Sequence, residues 1–320
     1  MAYVAGIDEA GYGPLMGPLV VSATAFHVPD DAVDADLWDR FAPDVVRDGR
    51  ARGSAVRVTD SKRLHRSNGN LRALEDNILP FLGLLGPMPR GAGKLLERFA
   101  GCDDDSLRHY PWYCGADQSI PRHADRKTLR AKQENLSRAL RRAGCLLCFA
   151  QAQVVDVRTF NREVAALGNK SKIVGWRVAS YLAALWEVLG HEEIRVVVDR
   201  QGGRKSYGPF LAATLPFASA RVVSESAERS EYVLAGEGRR MRVCFAVRAD
   251  QRALPVALAS MLSKYVRELL MERLNAFWSA RVEALRPTAG YVQDGRRFLA
   301  EIESARAAEG IPRDLLVRCR

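Results

Sequence analysis

The chain has 320 residues, with 48 lysines and arginines against 38 acidic side chains, a net charge of +10 and a pI near 9.5. Its composition, 48% hydrophobic and 27% charged, is that of a globular protein and excludes collagen-like, disordered and membrane-spanning classes. No run approaches the roughly 20 apolar residues of a membrane span, and the start of the chain lacks the features of a secretory signal, so a cytoplasmic protein without membrane contact is expected.

Residues 3–8 and 18–28 are β-rich and flank a turn holding Gly11, Gly13, Pro14 and Gly17, so the chain opens with a hairpin. Residues 56–59 suit a third strand, after which Asp60-Ser61-Lys62 leads to a helical stretch at 70–82. The pattern then breaks into Gly/Pro-rich text, three aspartates at 103–105, and His109-Tyr-Pro-Trp-Tyr-Cys. An insertion or subdomain is expected at about 84–126, with a plain surface excursion as the alternative. A helix at 128–142, a strand at 146–157 and a helical region ending near 189 follow, then a short β-branched run at 194–198 that closes on Asp199. Such a run fits a strand buried on both faces. Strands at 221–224 and 241–247 and helices at 254–285 and 296–306 complete the pattern, with 307–320 as a C-terminal tail. This order predicts an α/β fold, a mixed β-sheet flanked by helices, in one domain over 1–306.

The basic excess suits a polyanionic partner such as nucleic acid, and equally a plain basic surface, so motifs must decide. Six cysteines are too few for a disulfide framework. Cys145 and Cys148 form a C-x-x-C with no second pair and read as core thiols, not zinc ligands.

The most informative segment is Gly6-Ile-Asp8-Glu9-Ala-Gly11-Tyr12-Gly13-Pro14-Leu-Met-Gly17-Pro18. Two adjacent carboxylates at the end of an apolar strand are costly to bury without compensating cations, which invites a hard metal ion with oxygen ligands. In a regular strand Asp8 and Glu9 face opposite sides, so they share one site only if the strand ends or twists there. An ordinary acidic strand end is the alternative.

This segment resembles the N-terminal signature of ribonuclease HII, G-x-D-E-A-G-x-G-P-x-x-G-P, and Asp60-Ser61-Lys62 matches that family's D-S-K. Val196-Val-Val-Asp199 resembles its third acidic strand end, Ala259-Ser260-Met-Leu-Ser-Lys264-Tyr-Val-Arg267-Glu268 its A-S-I-x-A-K-x-x-R-D helix, and Gly290-Tyr291 its C-terminal G-Y element. The resemblance implies a ribonuclease H-like mixed β-sheet flanked by helices, with a C-terminal helical extension. It also implies a metal-dependent endoribonuclease that cuts the RNA strand of an RNA–DNA hybrid, embedded ribonucleotides included; a monomeric state is a separate expectation that no motif carries. Asp8, Glu9, Asp199 and Glu268 would be the catalytic carboxylates and bind two divalent cations, Mg²⁺ or Mn²⁺. Lys62 and Lys264 would lie near phosphates, with Ser260 in the same substrate-binding set. Gly11 and Gly13, flanking Tyr12, would let the backbone approach a ribose 2′-hydroxyl, and Tyr291 would pack on a sugar.

Three departures from the family bear on this. Tyr12 stands where an arginine is usual, Glu268 replaces an aspartate, and Asp199-Arg200-Gln-Gly-Gly-Arg204 replaces a plain D-G. Tyr12, Arg200 and the 84–126 segment would suit a nuclease of the same fold acting on another nucleic acid such as DNA. A non-catalytic nucleic-acid-binding relative and a structural module also stay open, although a purely binding surface gains by losing carboxylates that repel phosphate.

Overall fold

The structure is a computed structural model that describes all residues except 50, 65–70, 103–106, 116, 190, 201 and 320, and only the backbone of Lys62 and Arg63. Its strands are β1 (Ala2–Ala10), β2 (Leu19–Val28), β3 (Val45–Val46), β4 (Val56–Arg57), β5 (Leu146–Val155), β6 (Glu193–Asp199), β7 (Ser219–Glu225), β8 (Arg229–Gly236) and β9 (Arg239–Ala246). The helices used below are α1 (Arg72–Leu82), α2 (Ala92–Ala100), α3 (Arg126–Arg142), α4 (Val157–Leu167), α5 (Lys170–Leu189), α6 (Leu254–Ser279) and α7 (Val292–Ala308).

A sheet in the order β5-β2-β1-β6-β9-β8-β7 forms the centre. β1 and β2 pair antiparallel as the opening hairpin, and β5 adds antiparallel to β2. On the other side β1, β6 and β9 run parallel, and β8 and β7 extend the sheet antiparallel. This is a mixed sheet flanked by helices, as the order of predicted elements led one to expect. The run Val196-Val197-Val198 is buried because apolar clusters cover both sheet faces. α6 covers β1 and β2 on one face, and α5 lies against the other. Gly6 permits the first contact: a Cβ there would sit 2.2 Å from the Val256 backbone nitrogen, so α6 rests directly on β1.

Several expectations need correction. The strand at 56–59 shrinks to β4, which pairs with β3 outside the main sheet. The helix at 70–82 begins at Arg72, its expected start at Asn70 lying outside the described residues, as do the aspartates at 103–105. The 84–126 segment is no surface excursion: Leu95, Leu96 and Phe99 of α2, with Tyr110, Trp112 and Tyr113, join the main core. Glu75 anchors the segment's end; fully buried in α1, it accepts the amides of Arg122, His123 and Ala124 at 2.6, 2.8 and 2.9 Å. Nor do the described residues 307–319 hang as a tail, since Ile311, Leu316 and Arg318 are buried against the body. Cys145 is a buried thiol, and Cys148 donates to the Ala25 carbonyl at 3.2 Å. Among the described residues no helix is long and apolar enough to cross a membrane.

Candidate active site

Three parallel strands deliver acidic residues to one edge of the sheet. Ile7 pairs with Val198, so Asp8 and Asp199 follow side by side at the carboxyl ends of β1 and β6. Asp199 pairs in turn with Ala246 at the end of β9. The chain then turns through the short 3₁₀ segment Ala249–Gln251, whose first amide donates to Asp199 Oδ1 at 2.7 Å, and the turn brings Asp250 to the same edge. Ligand sites gather outside the carboxyl ends of parallel strands because each chain leaves the sheet there and its connections frame a crevice.

The crevice here is a cleft of about 650 Å³. Asp8, Glu9, Asp60, Asp199 and Asp250 line it together with Gly11, Tyr12 and Gly13 of the turn, Ser260, Lys264 and Arg267 of α6, and Tyr291. Asp8 and Glu9 both line it where the pairing of β1 with β6 stops at Ile7, and the Glu9 amide donates to Asp8 Oδ1 at 2.7 Å. The small residues of α6 let the helix approach closely: Ser263 Oγ donates to the Asp8 carbonyl at 3.1 Å, and Ser260 Oγ lies 3.1 Å from Ser61 Oγ.

Asp8 is only 8% exposed. Burial pushes its carboxyl well above the ordinary range, and the charges of Glu9 and Asp199 push the same way, against the Ser260 hydroxyl and the Glu9 amide. The edge therefore carries more negative charge than it can ionise without a cation. Among the described residues no three His, Cys, Asp or Glu side chains stand close enough together to enclose one metal ion. An all-oxygen set of this kind fits Mg²⁺, which keeps several waters and takes only one or two carboxylates directly.

Glu268 departs from its expected place as fourth cleft carboxylate. It is not among the residues that line the cleft, and its Oε1 accepts from Lys264 Nζ at 2.7 Å and from Arg267 Nη1 at 3.2 Å. The reason is helical geometry: Lys264 and Glu268 are one turn apart on α6, so the lysine nearer the cleft bends back onto the carboxylate. Asp250 stands at the cleft instead, a residue the motif comparison missed. Its signal was present, an acid just beyond an apolar β-run, as Asp8 follows Ile7 and Asp199 follows Val198.

The other expected residues divide. Gly11, Gly13, Ser260 and Lys264 face the cleft, and Tyr291 lines it with about half its surface exposed. Tyr12 also lines it, but its ring packs on the core beneath α5, with Lys170 Nζ 5.1 Å from the ring centre. The Lys62 side chain lies outside the described residues. Arg200, beside Asp199, is turned into the β7–β8 hairpin, where Nη2 donates to the Ser226 carbonyl at 2.9 Å and to Ser230 Oγ at 2.7 Å.

No protein-family model matches the chain, and no curated protein does. Among solved structures it is similar to the PCNA:RNase HII complex from Archaeoglobus fulgidus, at 18% identity over 99% of this chain and 94% of that one, with a TM-score of 0.43. It is similar to ribonuclease H2 from Pyrococcus horikoshii OT3, at 15% identity over 98% and 92%, with a TM-score of 0.41. For Bst-RNase HIII in complex with Mn²⁺ the values are 15% identity, 99% of this chain, 66% of that one and a TM-score of 0.43.

Proposed function

We propose that the protein is a metal-dependent endoribonuclease that cuts the RNA strand of RNA–DNA hybrids, embedded ribonucleotides included. The observation that carries this reading is the gathering of Asp8, Glu9, Asp199 and Asp250 at one cleft beside a glycine turn. A cleft so acidic repels phosphate by itself, whereas the +10 charge of the whole chain attracts a polyanion. Divalent cations, two of Mg²⁺ or Mn²⁺, would reconcile the two by neutralising the carboxylates, binding the scissile phosphate and activating the attacking water.

The chain's own groups have separate tasks. Asp8 would give up its proton to a cation held at the cleft, and Asp199 is fixed in orientation by the Ala249 amide. Lys264, braced by Glu268, presents an ammonium to a phosphate oxygen. At Gly11 and Gly13 the backbone can approach a ribose 2′-hydroxyl, the group that separates RNA from DNA. Tyr291 offers an exposed ring to a sugar face.

A second reading, a nuclease of the same fold acting on DNA, is favoured by Tyr12, whose half-buried ring packs against the core and supplies no phosphate-gripping charge. End-labelled duplexes decide between them: one all-DNA, one with a single ribonucleotide and one with an RNA tract, each with Mg²⁺, Mn²⁺ or chelator. Cutting confined to ribonucleotide-containing strands and dependent on metal and on Asp8 is expected. Cutting of the all-DNA duplex would establish the second reading instead.

A further inference from the structure

Beyond α7 the chain runs back across the molecule to the turn between β1 and β2. Val317 forms a β-bridge with Met16, and the Arg318 amide donates to the Leu15 carbonyl at 2.9 Å. The Arg318 side chain, 3% exposed, donates from Nε to the Gly17 carbonyl at 2.7 Å and from Nη1 to the Gly11 carbonyl at 2.5 Å. α4 holds the same segment from below: Asn161 donates to the Val317 carbonyl at 2.9 Å and accepts the Cys319 amide at 2.7 Å, and the Phe160 ring lies 4.8 Å from the guanidinium. From α6, Arg267 donates to the carbonyls of Met16 at 3.4 Å and Ala289 at 2.9 Å. Gly11 must be glycine here, since a Cβ would lie 2.6 Å from Arg267 Nε.

Two buried guanidiniums thus draw the carbonyls of Gly11, Met16 and Gly17 inward. In a trans peptide the N–H points opposite its carbonyl, so holding the Gly11 carbonyl on Arg318 turns the Tyr12 amide the other way, outward from the buried arginine. The arrangement is a poor way to gain stability alone. Arg318 Nη2 and Arg267 Nε are buried donors that bond no protein atom, and an apolar side chain would fill the same space at lower desolvation cost.

We propose that Arg318 is a positioning residue for the cleft: it sets the turn over residues 11–17 so that its outward backbone meets the bound nucleic acid, which makes 311–318 a working part of the site. This rests on the function proposed above. The test compares wild type with Arg318→Met and Arg318→Lys, first by amide hydrogen exchange of the protein without substrate. Exchange over residues 11–17 is expected to quicken by about ten-fold or more in Arg318→Met, with β6 and α6 unchanged. On a ribonucleotide-containing duplex KM should rise about ten-fold while kcat stays within about two-fold, and Arg318→Lys, restoring one of two carbonyl bonds, should recover part of both effects. Wild-type exchange in the turn, or exchange that quickens equally across β6 and α6, overturns the proposal. The exchange readout needs no cleavage, so a wild type that cuts no duplex would sink the function while leaving the setting of the turn to be judged on its own result.

Discussion

Lys264 Nζ lies 2.7 Å from Glu268 Oε1, and the pair is nearly buried beside the cleft. The carboxylate serves the lysine and Arg267, whereas Asp250 occupies the cleft edge. Asp250→Asn is therefore expected to lower kcat on the order of a hundred-fold or more, as loss of a group close to a metal does. Glu268→Gln should keep metal-dependent cutting and act mainly through KM, by loosening Lys264. Steady-state kinetics of the two variants, with Mg²⁺ titrated, checks this. Equal losses in kcat would return Glu268 to the catalytic set.

The raised Asp8 carboxyl makes the metal-free protein sensitive to pH. Its ordinary value is 3.8, and burial, Glu9 and Asp199 lift it well above that in the fold, so the folded chain holds a proton that the unfolded chain has released. That contribution to stability is complete below the unfolded value and is lost as pH rises through the folded one. In chelator, the Tm of wild type relative to Asp8→Asn should fall as pH rises through this window. Mg²⁺ bound at the cleft as proposed would displace the same proton, so its affinity should increase with pH. Titration calorimetry in two buffers of different ionisation enthalpy would show the released proton, and its absence would remove Asp8 as a ligand.

Glu75 is a buried tie between elements. Besides three amides it accepts the Tyr265 hydroxyl at 3.0 Å, so one carboxylate ties α1, the 122–124 turn and α6 together. Glu75→Ala strands four buried or half-buried donors and should cost about 3 kcal/mol or more of stability. Urea denaturation measures this directly, and a loss under about 1 kcal/mol would mean that water replaces the carboxylate.

Gly6→Ala tests the contact between α6 and β1. With Val256 N only 2.2 Å from the added carbon, backbone must move, at a cost of about 1–3 kcal/mol. Because Ser260 and Lys264 ride on the same helix, cutting should fall more than stability. A fully active, destabilised variant would show that the helix can shift without disturbing the cleft.

Much of this site could be read in advance, for physical reasons that differ by residue. Asp8 and Asp199 end apolar runs that can only be buried strands, so their placement follows from burial. α6 announces itself by length and by the proline at its first turn. β8 does not, because Arg229, Ser230 and Glu231 blur the alternation of a strand near the sheet edge. The 84–126 segment hides its core residues behind Gly/Pro breaks, and Leu95, Phe99 and Trp112 converge only in three dimensions. For Glu268 a motif fixes position along the chain and not the direction in which a side chain turns, here onto Lys264 and Arg267. Arg318 gave no signal, since nothing distinguishes one arginine among many until its carbonyl partners are known.

The packing of Trp112 bears on how the molecule could be rebuilt. Its ring lies 6.0 Å from Phe277 and 6.3 Å from Trp278, at the C-terminal end of the helix that carries Ser260 and Lys264 roughly four to five turns earlier. At 1.5 Å per residue that helix is a strut of roughly 39 Å, with the 84–126 segment packed at its C-terminal end and the cleft residues Ser260, Lys264 and Arg267 in its N-terminal half and middle. The segment is consequently not an interchangeable module. A chimera that borrowed it from another protein would have to borrow the distal half of the strut as well, and trimming it would lay bare an aromatic surface on the element that aligns the site.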